Sequence, residues 1–466
     1  MQGLWRDLRV DDTPLVKGVY RHSEDLKVYT LHKFHNLLLK AATISYRKCY
    51  STVLSMLERT LIFLEKRLKF DVRYTFQSGT WLISAHVVGI IAILLTSYVF
   101  ANFLSPEVYG RYKYILSIGS LLTALSLTGA STTISQAAAR NVTGFFSFMR
   151  KKNLYYGLPI FVLSTVGALY YYVHGNNSLA LGLLIIAILQ PFLNNSSLVF
   201  SYLLGNQQFK LNTAAQILST IFVTFIIIVS VLLTKNVAIL LISYFLANIF
   251  SGYVVEYFYA PRKETITDKG AAQSLLRYTE HSSVQNIISI ISNQLDKVLI
   301  FQNLGATQLA IYTFATALPD QYKGITKNIE VMLLPRFSQQ TDKSLRAGLV
   351  YKSVIYFFFL LLCLVAYILI SPYIFKVLYP QYEASVFLSQ IYVIGIVFGI
   401  SGIPLTALKA QMSNKKLYHF NILTSAVQIA SLIILLPLYG LMGAAIARIL
   451  YRGFLCVYAY YLYYRA

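Results

Sequence analysis

Acidic and basic side chains recur at helical spacing inside stretches of the sequence that are otherwise apolar. In ALPDQYKGITKNIEVMLLPRF, four of them follow one another three, four and three residues apart, namely Asp320, Lys323, Lys327 and Glu330. This spacing places all four on one face of a helix, where acids and bases support each other. Against lipid each charge would cost about 2.5–3.5 kcal/mol. We therefore expect this charged wall to line a cavity; the alternative is a short helix whose charges reach the cytoplasmic interface.

A polar stripe also follows the preceding apolar stretch, NIISIISNQLDKVLIFQNLG. Ser289, Asn293 and Asp296 lie four and three residues apart, on one helical face that needs hydrogen-bond partners lipid does not offer. Lys297 is about 100° around the helix from Asp296, so it could point to a neighbouring helix. We expect Asn293, Asp296 and Lys297 to line a cavity. The alternative is a buried ion pair with another span that only fixes packing.

Polar residues elsewhere are less specific. Gln190 and Asn194 flank a proline in an apolar stretch, where they could bind ligand hydroxyls or merely satisfy a broken helix. Arg140 closes a predicted span near the cytoplasm, where it could meet a phosphate or serve as an anchor.

Arg448 and Arg452 lie four residues apart in the last apolar stretch. Guanidinium groups bind phosphate well, so both could face a cavity as phosphate partners. The alternative is that they pair with Glu256 or with backbone carbonyls.

The elements that must position these residues are membrane-spanning helices. Of the 466 residues, 56% are hydrophobic and only 12% are charged, with a mean hydropathy of +0.58. Runs of about 20 apolar residues are typical of helices that cross a bilayer. Twelve such runs occur, at roughly 78–104, 112–136, 153–173, 178–204, 213–234, 236–259, 281–304, 309–334, 349–370, 384–409, 417–437 and 440–463. The sequence therefore predicts an all-α polytopic membrane protein of about 12 transmembrane helices.

The formal net charge of +22 is a topology signal. Lys and Arg concentrate in the N-terminal segment and in every second loop, and the other loops offer only Arg111, Lys113, Lys235 and Lys376. The richer side is predicted to be cytoplasmic, with both termini inside. This distribution excludes a nucleic-acid-binding patch. The cysteines have no paired spacing that would indicate a disulfide framework or a metal site.

Weak internal repetition predicts two lobes around a central cavity. Segments 104–114 and 304–314 match at an offset of 200, including Tyr112 with Tyr312, and two further pairs of segments match in the same order. Six plus six spans is a transporter plan. The predicted organisation is a basic amphipathic cytoplasmic extension (1–75), a first six-helix lobe (76–260), a cytoplasmic linker (261–280) and a second six-helix lobe (281–466).

The chain resembles polysaccharide or O-antigen flippases of the multidrug/oligosaccharidyl-lipid/polysaccharide exporter superfamily. The resemblance lies in ANFLSPEVYGRYKY after the first span, LLGNQQFKLN before the fifth, and NQLDKVLIFQNLGATQLAIYTFATAL across spans seven and eight. It covers about residues 75–466. It implies translocation of a lipid-linked oligosaccharide between leaflets by alternating access, in the cytoplasmic membrane of a prokaryote, with polysaccharide polymerase and assembly proteins as partners.

The chemistry of that cargo suits the polar residues. A polyprenyl-pyrophosphate-linked oligosaccharide needs cations for its phosphates, amides and hydroxyls for its sugars, and a gap for its tail. No catalytic residue, cofactor or metal is expected, although carboxylates such as Asp296, Asp320 or Glu330 could couple transport to a proton or sodium gradient. The alternatives are an exporter of a drug or of another lipid-linked precursor, a membrane enzyme acting on lipid-linked sugars, and a membrane scaffold. The short, acid-poor outer loops argue against the enzyme.

Overall fold

The computed structural model describes residues 72–260, 266, 269–321, 337, 342–410 and 414–465. The chain divides into two compact units, Met1–Gly79 and Thr80–Ala466, and every contact discussed below lies within the second. Every regular element in the described ranges is a helix, as the apolar runs predict. The predicted amphipathic helix of the N-terminal extension lies outside these ranges.

Helix starts are set by local capping. Ser105 Oγ accepts a hydrogen bond from the Val108 N–H, and Pro106 occupies the first turn, where no N–H partner is needed. Asn176 and Asn236 cap two later helices. In chain order the helices are α1 (Val72–Phe103), α2 (Pro106–Leu122), α3 (Ala130–Ala139), α4 (Phe145–Tyr155), α5 (Leu158–Val173), α6 (Asn177–Ser196), α7 (Leu198–Gly205), α8 (Phe209–Leu233), α9 (Val237–Tyr259), α10 (Lys269–Leu304), α11 (Ala306–Ala317), α12 (Asp342–Leu378), α13 (Ala384–Ile394), α14 (Gly402–Ala410) and α15 (Asn414–Tyr464).

By length and composition, eight helices of the described residues could cross a membrane, or nine when one bent pair counts as a single span. That pair, Pro106–Leu125 with Ala130–Ala139, is bent by 57°. α10 is not among them, because its polar stripe lowers its hydropathy. α15 counts once, although Gly440 interrupts it with a non-helical backbone (φ 56°, ψ −136°). The predicted eighth span continues beyond Gln321 into residues outside the described ranges, so the count of twelve stays a prediction, as does the placement of the termini.

The repeat at an offset of 200 residues is visible in where the helices break. Ser105 separates α2 from α1, and Gly305 separates α11 from α10. Gly305 has a φ of 87°, a conformation that glycine adopts without steric cost. Tyr112 and Tyr312 are both buried at equivalent places in the following helices. The two segments thus fold alike despite few identities.

α2 packs closely against α11, which joins the two predicted lobes. The rings of Tyr109 and Phe314 stack with centroids 4.6 Å apart. A Cβ on Gly110 would overlap the backbone carbonyl of Ala306, so only glycine permits this approach. We call this contact the outer contact, since the sequence predicts that this end faces out.

α10 also meets the first predicted lobe near its other end, through small polar groups. The Gly129 N–H donates a hydrogen bond to Ser283 Oγ at 2.9 Å. Thr279 Oγ1 donates to Thr133 Oγ1 at 2.8 Å, and both threonines are buried. We call these four residues the inner seam. Together with the outer contact, it closes both ends of the boundary between the predicted lobes.

The outward faces of the helices are apolar. Phe225 on α8 and Leu362 on α12 are among many large hydrophobic side chains left exposed by the protein itself. Contiguous exposure of this kind fits a surface that is solvated by lipid. Polar groups needed for function must therefore lie inside the bundle.

Candidate functional site

Asp296 and Arg448 form a buried ion pair that joins α10 to α15. Arg448 Nη2 lies 2.6 Å from Asp296 Oδ2, and the side chains are 8% and 2% exposed. The Tyr312 hydroxyl on α11 donates to the same oxygen at 2.7 Å, and the Lys297 N–H donates to Asp296 Oδ1 at 2.9 Å. Both carboxylate oxygens are thus satisfied, as a buried charge requires.

A second acid–base pair lies beside the first. Arg452 Nη2 is 3.7 Å from Asp320 Oδ1, and the Tyr392 hydroxyl donates to that same oxygen at 2.8 Å. Arg452 also donates to the Tyr392 hydroxyl at 3.3 Å and stacks over its ring at 4.9 Å. Gly395 makes room, since a Cβ there would lie 2.7 Å from Arg452 Nη1. The Asp320 side chain is 35% exposed, so this pair is the open end of the site.

The two pairs form one structure inside the second predicted lobe. Arg448 and Arg452 are one turn apart on α15, and the rings of Tyr312 and Tyr392 meet edge to face at 6.4 Å and 88°. Gln428, earlier on α15, adds a 2.6 Å hydrogen bond to a backbone carbonyl of α10. The ionic cluster comprises Asp296, Tyr312, Asp320, Tyr392, Arg448 and Arg452. It fixes four helical segments to one another through charge-assisted hydrogen bonds.

Lys297 lies outside this cluster, at the boundary between the predicted lobes. Its Nζ is 3.5 Å from Gln294 Oε1, and its charge lies close enough to Lys113 for the two to repel. Lys113, which the charge distribution assigned to an outer loop, belongs to α2 and is half-buried. Its ammonium lies 5.4 Å from the centre of the Tyr109 ring. Neither lysine forms an ion pair with a carboxylate of the described residues.

Four predicted site residues lie elsewhere. Arg140 is exposed at the end of α3, and Asn293 is exposed with its amide bonded to its own helix. Gln190 is buried and donates to Asn194 Oδ1 at 2.9 Å, while Asn194 lies 3.5 Å from Ser126 Oγ. The two amides therefore belong to a small network at the break between α2 and α3.

The charged wall predicted after α11 is described only at its start. Lys323, Lys327 and Glu330 lie outside the described residues. Pro319 follows the end of α11, and Asp320 sits in a 3-10 turn, Pro319–Gln321, rather than on the helix itself. The choice left open for Arg448 is resolved in favour of Asp296. Glu256 pairs with Arg150 instead.

Tyr312, Tyr392, Gln428 and Lys113 complete the geometry but were not singled out from the sequence. A tyrosine in an apolar span needs a partner for its hydroxyl when buried, which was the available signal. It is weak here, because the chain has 37 tyrosines and most spans contain one.

Several long apolar helices around shielded charges define a multi-pass membrane protein. The family model described as polysaccharide biosynthesis protein matches residues 76–341, more than half of the chain. The chain belongs to this family.

Solved structures agree on the fold. A lipid II flippase MurJ in an inward closed conformation superposes with a TM-score of 0.66, at 16% identity over 83% of this chain and 87% of that one. A multidrug resistance MATE family transporter of the MOP superfamily matches in its inward-facing form (TM-score 0.54) and its outward-facing form (0.56). Both forms are 12% identical to this chain and cover 83% of it, and the match spans 97% and 95% of theirs. No curated protein matches the chain by sequence.

Proposed function

We propose that this protein translocates a polyprenyl-pyrophosphate-linked oligosaccharide across the cytoplasmic membrane of a prokaryote by alternating access, for the synthesis of cell-surface polysaccharide. The observation that carries the proposal is the pair Lys113 and Lys297. They belong to helices of different predicted lobes, which also touch where the rings of Tyr114 and Phe301 stack at 3.7 Å. Lys113 adjoins Tyr114, and Lys297 lies one turn before Phe301.

Two half-buried ammonium groups of like charge are costly in a low-dielectric surrounding. A ligand with two or more negative charges offsets that cost and draws the lobes together, which a pyrophosphate linkage would do. The placement of the pair at the boundary between the lobes makes ligand binding sensitive to their relative position. Multi-pass flippases need such a link between cargo and conformation.

The main alternative, an exporter of cationic drugs, is disfavoured by the same pair, because two lysines repel a cation. An exporter of another phosphate-linked lipid remains compatible with them. The relative described as a lipid II flippase has such a cargo, and its fold supports that broader class.

The test uses a deletion strain of the source organism. We expect lipid-linked oligosaccharide to accumulate on the cytoplasmic leaflet and surface polysaccharide to disappear. Complementation by Lys113→Gln or Lys297→Gln should fall at least about tenfold at equal protein level, the equivalent of roughly 1.4 kcal/mol. Lys297→Arg should retain activity, and Lys235→Gln, at an exposed lysine, is the matched control. Normal surface polysaccharide in the deletion strain would sink the proposal.

Ion coupling is a further part of the proposal. A proton or sodium ion could take Asp296 only by displacing Arg448, because both oxygens of the carboxylate are engaged. Ion binding and the tie between α10 and α15 are therefore mutually exclusive, which would bias one lobe conformation over another. Ionophores that collapse the proton or the sodium gradient separately should distinguish the two ions. Unchanged transport after both treatments would remove ion coupling from the proposal.

A further inference from the structure

A second cavity lies in the first predicted lobe, away from the ionic cluster. It measures about 510 Å³ and is enclosed by α1, the end of α6, α7, α8 and α9. Nine of its seventeen lining residues carry a hydroxyl or an amide, and none is charged. A cavity with so many polar groups and no charge is unlike the lysine pair, and no part of the proposed transport mechanism uses it.

The polar groups of this cavity have their hydrogen atoms already committed. The hydroxyls of Ser197, Thr220 and Ser251 donate to carbonyls of their own helices at 2.8–2.9 Å. The Asn248 amide donates likewise to a carbonyl one turn earlier at 2.8 Å. Each hydroxyl oxygen still has acceptor capacity. The cavity therefore offers acceptors to a ligand and no cation to an anion, which suits an uncharged ligand rich in hydroxyl donors.

An apolar groove of about 370 Å³ continues from this cavity between α8 and α9. Ser219 and Ser251 line both spaces. Phe222, Phe250 and Phe258 line the groove and are 37%, 59% and 69% exposed, so it opens toward the lipid. Polar cavity and apolar groove together have the form of a site for a molecule with a polar head and a hydrocarbon chain.

We infer that the first predicted lobe binds a glycolipid with an uncharged sugar head, the sugar in the cavity and the chain in the groove between α8 and α9. Sugar hydroxyls supply the donors that the committed Ser, Thr and Asn groups lack. Binding at this site requires neither the lysine pair nor transport. Its outcome is therefore separate from that of the proposed function.

The experiment uses the full chain in lipid nanodiscs and a photoreactive alkyl maltoside, which has an uncharged disaccharide head and a diazirine in its chain. We expect labelled peptides from α8 and α9. Excess unlabelled alkyl maltoside should compete, whereas an alkyl phosphocholine of equal chain length should not. Equal competition by the phosphocholine, or labelling spread evenly over the apolar surface, would overturn the inference.

Variants sharpen the result. Thr220→Val removes one acceptor at constant shape and should weaken labelling roughly two- to tenfold, the range of one hydrogen bond. Thr220→Ser keeps the hydroxyl and should label normally. Thr165→Val, which removes the same kind of intrahelical bond on exposed α5 outside the cavity, should have no effect. Undiminished labelling of a folded Thr220→Val variant would contradict the assignment of the sugar to this cavity.

Discussion

Arg448 Nη2 lies 2.6 Å from Asp296 Oδ2, across 152 residues of sequence and in the interior of a membrane protein. The pair is the centre of the ionic cluster and joins α10, which borders the first predicted lobe, to α15. Such a pair holds packing in place whether or not it also takes part in transport. Its two roles can be separated by experiment.

Arg448→Ala should destabilise the protein by about 3–5 kcal/mol, because it leaves the Asp296 carboxylate buried without its counter-charge. The double variant with Asp296→Asn should recover part of that loss. Thermal unfolding of the purified protein measures both. Arg111→Ala, which breaks an exposed pair with Glu107, is the control and should cost at most about 0.5 kcal/mol. Equal effects of the buried and exposed variants would refute the pairing.

The charge-free pair Asp296→Asn with Arg448→Gln separates packing from transport. It preserves the shapes and a hydrogen bond between the two positions, so the protein should fold. If Asp296 takes part in coupling, as proposed, complementation should still be lost. Full complementation by this folded double variant would mean that the pair serves packing alone.

Tyr312→Phe should cost about 1.5–3 kcal/mol, because the hydroxyl donates to a charged, buried carboxylate. Tyr382→Phe is the matched control. Tyr382 is equally buried, but its hydroxyl has no hydrogen-bond partner among the described residues. The comparison is made by unfolding in the same detergent. Similar losses in both variants would show that the Tyr312 hydroxyl contributes nothing specific.

Gly110→Ala should open the outer contact, since its methyl group would overlap the Ala306 carbonyl. Backbone cannot yield as a flexible side chain can, so α2 and α11 must separate. Phe314→Cys, introduced into a cysteine-free background, should then react faster with an impermeant maleimide from outside. Gly453→Ala, where a Cβ meets only ordinary contacts of 3.5 Å or more, should leave the rate unchanged. No change with Gly110→Ala would contradict a closed outer contact.

A disulfide across the inner seam should arrest transport reversibly. The hydroxyls of Thr133 and Thr279 are 2.8 Å apart, which makes the two positions candidates for cross-linking as cysteines. In a background where Cys49, Cys363 and Cys456 are replaced, oxidation should stop complementation and reduction should restore it. Continued transport by a fully cross-linked protein would exclude opening at this seam.

How far the sequence predicted this structure depended on which property was local. Helices, the break near residue 305 and the burial of Tyr312 follow from apolar run length, a glycine and a repeat. Asp296 was identifiable because a charge in an apolar span is rare. Its partner was not, since Arg448 lies 152 residues away and spacing along one helix says nothing about which helix faces it. Lys113 was misplaced because a cation near a span end resembles a loop residue until tertiary packing buries it.

The central claim, translocation of a lipid-linked oligosaccharide, is tested most directly with purified protein in sealed vesicles. The vesicles contain a fluorescent polyprenyl-pyrophosphate oligosaccharide, and an impermeant quencher is added outside. We predict that vesicles with the protein lose fluorescence well beyond the outer-leaflet half, that Lys297→Gln slows this loss at least about tenfold, and that protein-free vesicles stop at half. Quenching that stops at half in the presence of folded protein, with an ion gradient imposed in either direction, would contradict the account.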